Sequence, residues 1–184
     1  MRKPVLATLI VAPTVAVALL ASAWWWNGHR GAPYAGLDQR EIKALAPERI
    51  AGLREGDGLG YALPAELNDV PGPKHVLQLD RDLDLTPTQR SAVEAIFDRM
   101  NAKARELGTQ LIEAERALDA AFAGGGATAE TVAELTAAAS AIEGRLRAAH
   151  LTAHIETQPV LTASQRETYA AARGYGHHGH GAGH

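Results

Sequence analysis

The sequence predicts an all-α protein: an N-terminal membrane helix, then a long antiparallel helical hairpin with short flanking helices, paired as a homodimer. Three observations carry this. Val93, Phe97, Met100, Ala104, Leu107, Leu111, Ala114, Leu118 and Phe122 form an apolar seam in steps of four and three, the spacing of one helix face. A second seam, Val132, Leu135, Ala139, Ile142, Leu146 and Ala149, follows the break Gly124-Gly125-Gly126, and a short glycine connection makes long helices antiparallel neighbours. The same helix start is written twice, as Leu85-Thr86-Pro87-Thr88-Gln89 and Leu161-Thr162-Ala163-Ser164-Gln165. No stretch reads as a convincing strand.

Residues 1–30 read as a signal anchor or a signal peptide. Arg2 and Lys3 precede an uncharged run over residues 4–26, about 35 Å as a helix and long enough to span a hydrocarbon core of about 30 Å. Basic residues before the run keep the N-terminus in the cytoplasm and send the remainder across. Trp24, Trp25 and Trp26 close the run, and indoles favour the headgroup level. Ala21-Ser22-Ala23 is also a cleavage pattern, but the apolar stretch exceeds that of an ordinary signal peptide. The expectation is an uncleaved anchor in the inner membrane, with the domain in the periplasm.

Residues 31–73 read as a tether and an irregular segment. Residues 37–53 have helical spacing, with Pro47 starting a turn of helix. From residue 56 to 73, glycine and proline punctuate too densely for a long helix, leaving room for one turn near Ala65-Glu66-Leu67. Residues 75–83 read as a short helix before the main one. In each repeated start, Thr86 or Thr162 caps the helix and Gln89 or Gln165, three residues on, reaches back to the cap; Pro87 suits the first helical position. Arg90 and Arg166 follow the two copies. Thr128 caps the second long helix, Pro159 ends it, and Thr162 starts a last helix to about Arg173. The tail, residues 174–184, is glycine and histidine with one tyrosine, a composition that cannot bury a core.

Composition bounds the function. There is no cysteine, hence no disulfide framework and no thiolate nucleophile or ligand. Three of the 18 basic residues, Arg2, Lys3 and Arg30, lie in the first thirty, so the remainder carries 15 against 21 acidic, a net of −6; this argues against nucleic acid as a partner. Glu113, Glu115, Arg116, Asp119, Arg145 and Arg147 read as solvated helix faces. Gly56-Asp57-Gly58-Leu59-Gly60 has no strand before it and is a loop. With no nucleophile motif either, the chain is not expected to be an enzyme. Seams this rich in alanine leave a second apolar face in need of cover, which points to a homodimer.

The histidines are the chemistry-bearing residues. His150 and His154 stand one helical turn apart, so two imidazoles share a face and can chelate one divalent ion. Leu151 stands where a zinc protease would carry its glutamate, which argues against that activity. His177, His178, His180 and His184 in the tail form a second, unselective metal-binding set, since a glycine-spaced chain imposes no geometry.

The paired Leu-Thr-x-x-Gln motifs, the hairpin between them and the export signal in front resemble the periplasmic LTxxQ-motif family of Spy, CpxP, ZraP and CnrX-like proteins, over roughly residues 74–173. The resemblance implies a hooked, all-helical dimer in the periplasm. It also implies one of two functions. One is a metal-binding sensor or heavy-metal resistance protein for zinc, nickel, cobalt or copper, signalling to a membrane-bound partner. The alternative is an ATP-independent chaperone or envelope-stress modulator of the Spy and CpxP kind, acting on unfolded periplasmic proteins. In the CnrX-like branch a helix before the first motif supplies histidines, and a His-x-x-x-His or His-x-x-x-Met pair precedes the second. Here His75 precedes Leu85, and His150 and His154 precede Leu161. The chain departs from that pattern at Leu79, one turn after His75. Glu94 or Asp98 would then complete the site with an oxygen ligand, because an antiparallel hairpin sets the end of its second helix beside the start of its first. The histidine inventory and the acidic net charge favour the metal-binding function.

Overall fold

The computed structural model describes residues 33–174; the expected membrane segment 4–26 and the tail histidines lie outside them. Among the described residues every regular element is helical, and no helix is long and apolar enough to cross a membrane. Residues 33–39 belong to a separate unit and form a turn followed by one 3-10 turn at Leu37–Gln39. Among its described residues the second unit, from Arg40 on, holds six α-helices and a 3-10 turn at Gln158–Val160: α1 (Pro47–Glu55), α2 (Leu63–Glu66), α3 (Pro73–Gln78), α4 (Pro87–Ala123), α5 (Ala129–Thr157) and α6 (Ala163–Arg173).

The helix over residues 37–53 is therefore interrupted. Ala46 is extended, with ψ 147°, as a residue before proline must be, and the helix begins only at Pro47. The single turn expected near Glu66 is α2, and the helix over residues 75–83 is shorter, ending at Gln78.

Helices α4 and α5 form the hairpin. Residues 124–128 connect them, and Arg99 near the start of α4 pairs with Glu156 near the end of α5 at 2.8 Å, which fixes the antiparallel register. Ala104, Leu107, Leu111, Ala139 and Leu146 are buried along the seam as expected, but Phe122, near the glycine turn, is exposed. The seam is only part of the buried face: Ile96 is buried as well, and so are Gly108 and Ile112, where α1 lies across the hairpin. At Gly108 the backbone of α1 comes so close that a Cβ would stand 2.1 Å from the Leu53 carbonyl oxygen. Gly56 ends α1 with φ +73°, a conformation that glycine adopts without cost.

There are two cores. One joins α1 to the hairpin through Ile42, Ile50, Leu53, Leu107, Ile112 and Leu146. The other gathers Val76, Leu83, Leu85, Val93, Leu161 and Tyr169 at the open end of the hairpin, so both motif leucines lie in the same core. The motif glutamines join above it. The Gln89 amide nitrogen donates to Gln165 Oε1 (2.8 Å) and the Val160 carbonyl (2.9 Å); that of Gln165 donates to Gln89 Oε1 (3.1 Å) and the Leu83 carbonyl (3.0 Å). Each oxygen also accepts its own cap's backbone N–H, from Thr86 at 3.1 Å and from Thr162 at 2.9 Å. The two arginines differ: Arg90 pairs with Asp80 across the turn before α4, whereas Arg166 donates to the Leu161 carbonyl at 2.8 Å.

Candidate metal centre

The open end of the hairpin holds a cavity of about 310 Å³, walled by α4 and α5 and by the segment from Gly56 through α3. His150 and His154 reach it from α5 and His75 from α3. Glu94 and Asp98 do not line it; both stand exposed on α4, while their neighbour Phe97 faces the cavity. The carboxylate at this place is Glu66, on α2, only 5% exposed.

Glu66 is the centre of a buried polar network. Tyr169 donates its hydroxyl to both carboxylate oxygens, at 2.9 and 3.0 Å, and Arg173 donates Nε at 2.8 Å. His75 Nδ1 lies 3.2 Å from Oε1. Burial alone would push the Glu66 carboxyl up; the His75 imidazole, the Tyr169 hydroxyl and the Arg173 guanidinium outweigh it and hold it down at about 2. Tyr169 is fully buried, and burial, with the adjacent carboxylate, pushes its hydroxyl well above the usual range. Its hydroxyl thus stays a donor, tying α6 to α2.

His154 is fixed by its own partner. Its Nδ1 lies 2.8 Å from the Val70 carbonyl oxygen; since a carbonyl only accepts, Nδ1 carries a proton and donates it there. Gly72 packs against this ring so closely that a Cβ there would lie 2.6 Å from Nε2. His150 is 5% exposed and stacks on Tyr61, with ring centroids 5.9 Å apart and planes inclined by 16°. Tyr61 is held in turn by Glu143, which accepts its hydroxyl at 3.0 Å, and by Arg49, which donates to both. Burial, and then the neighbouring His154, push His150 down from the ordinary imidazole value, so the ring is neutral near neutrality. Its Nε2 is buried with no hydrogen-bond partner, and such an atom in a native fold calls for an explanation.

These donors suit an imidazole-binding metal. Among the described residues, however, no three histidine, aspartate or glutamate side chains are arranged to grip one ion as they stand, so the rings would have to turn towards one another. Val70 holds His154 and Glu66 holds His75 through Nδ1, as outer partners orient metal-binding histidines generally. Glu66, Tyr61 and Tyr169 carry no motif in the sequence. Glu66 falls in the irregular segment, 103 residues from Tyr169, and only folding brings them together.

The sequence model of a family described as LTXXQ motif family protein matches residues 73–173, more than half of the chain. No curated protein and no solved structure matches it.

Proposed function

The chain belongs to the LTXXQ motif family, and from that premise we propose that it is a periplasmic metal-responsive protein, taking up a divalent transition metal through His75, His150 and His154. The observation that carries this reading is the unpartnered, buried Nε2 of His150 in a cavity shared with two further histidines, one of them held through Nδ1 by the Val70 carbonyl. A bound zinc, nickel, cobalt or copper ion would supply the link that draws these imidazoles together. The protein's part is to bury and orient the rings and to connect them to movable structure. His154 is tied to the turn before α3, and His75 to the carboxylate that anchors α6. Turning the rings inward therefore acts on how α3 and α6 dock on the hairpin, a change that a membrane-bound partner could read.

The chaperone reading keeps one supporting feature, the exposed apolar side chains Leu63, Leu67, Phe122 and Ile155. Suppression of aggregation of an unfolding client by the metal-free chain, unchanged by replacing the histidines, would favour it.

The metal reading is tested by titration calorimetry with zinc or nickel on the full chain carrying alanine in place of His177, His178, His180 and His184. Binding tighter than about 100 μM is expected, weakened by His150→Ala and by His154→Ala. Because the ligands must be deprotonated, affinity should fall on acidification. No binding, or binding that both substitutions leave unchanged, overturns the reading.

A further inference from the structure

We propose that Met100 supplies a thioether ligand to the histidine cavity and gives it a preference for copper(I). The inference rests on the metal-binding reading above and sharpens it to one metal and oxidation state. The chain has no cysteine and two methionines, Met1 and Met100, so Met100 is the only sulfur among the described residues. It lies on α4 one residue after Arg99, whose ion pair with Glu156 sets this turn of α4 against the turn of α5 that carries His154. Its side chain lines the same cavity as His75, His150 and His154.

A seam methionine ordinarily serves as a core gap-filler, and Met100 does pack, partly buried, against the core that includes Leu107 and Leu146. That accounts for its burial. It does not account for the only sulfur among the described residues lining a cavity shared with three imidazoles, one with an unpartnered nitrogen.

The chemistry separates the metals. Imidazole suits zinc, nickel and copper alike, whereas a thioether is soft and favours copper(I). It also carries no titrating proton in the working range, so it adds a ligand without a proton penalty. A methionine side chain has three rotatable bonds and can follow the ion while His154 and His75 remain tied to the Val70 carbonyl and the Glu66 carboxylate. Phe97, beside it on the cavity wall, adds an apolar surface, which suits a low-charge ion.

The test uses the full chain with His177→Ala, His178→Ala, His180→Ala and His184→Ala, with and without Met100→Leu, a substitution that keeps the volume of the seam residue. Copper(I) affinity is read by competition with a chromophoric copper(I) chelator, zinc affinity by competition with a zinc dye, and copper-edge X-ray absorption reports sulfur in the coordination shell. The expected result is a loss of copper(I) affinity of about tenfold or more, with zinc affinity essentially unchanged and the sulfur signal abolished. Unchanged copper(I) affinity, or no sulfur in the shell of the parent chain, overturns the role of Met100 while leaving a histidine metal site standing. A parent chain that binds neither metal overturns both. Equal losses for copper(I) and zinc, with a lowered unfolding midpoint, would show Met100 to be a packing residue and also overturn the proposal.

Discussion

Gln89 and Gln165, 76 residues apart in the chain, exchange amide hydrogen bonds at 2.8 and 3.1 Å. Each is the third residue of its own helix and completes its own capping box. One side chain therefore performs two tasks: it caps locally, and it joins the start of α4 to the start of α6. Capping alone explains why such a motif occurs once; the mutual bond explains why it occurs twice.

Replacing either glutamine by leucine removes the reach back to the cap and both cross-links. Each single variant is expected to lose about 2 kcal/mol of stability. Because the two share bonds, the double variant should lose less than the sum, with a coupling of about 1 kcal/mol. Urea unfolding of the four chains gives this number, and strict additivity would contradict the shared arrangement.

Two helical glycines should respond oppositely to alanine. At Gly108 the new Cβ meets the Leu53 backbone at 2.1 Å, and α1 must lift from the hairpin; a loss of about 3 kcal/mol is expected. At Gly144 nothing lies within 4 Å, and the gain in helix propensity should stabilise by about 1 kcal/mol. Thermal unfolding of both variants decides this. Equal effects would mean that the close approach of α1 does not exist.

Stability should fall in two separate steps on acidification. His150 has its folded value lowered by burial, so its contribution is complete above the unfolded value of about 6.5 and is lost as pH falls below it. Glu66 is held at about 2 against an ordinary 4.5, so its contribution is present above about 4.5 and is lost between there and 2. Glu66→Gln should flatten the lower step only and His150→Phe the upper only, as read from unfolding midpoints across pH. A single step common to both variants would contradict the assignment.

The chain is expected to form a homodimer that needs no metal. Phe122 and Ile155 leave apolar surface on the hairpin of a single protomer, and a second copy would cover it. Sedimentation of the full chain in detergent with chelator present should show the dimer at about 50 μM, a concentration at which even a micromolar association is largely formed. A monomer there would count against it, and Phe122→Asp should shift the equilibrium towards monomer.

Local signals in the sequence determined the helices. The capping boxes at Thr86 and Thr162, the cap at Thr128, the seam of alternating four and three, and the glycine break are readable because each involves residues within one or two turns of one another. They fix the hairpin, the beginnings of α4, α5 and α6, and the pairing of His150 with His154 on one face. What stands opposite that face was decided only by the tertiary structure. Glu94 and Asp98 have the right position along the hairpin but the wrong side of α4, because Val93, Ile96 and Phe97 turn inward and so direct their neighbours outward. Glu66 arrives instead from a segment with neither motif nor periodicity. It is held there by Tyr169 and Arg173 from the far end of the chain, and the energy that keeps a carboxylate buried comes from donors that no local pattern can announce.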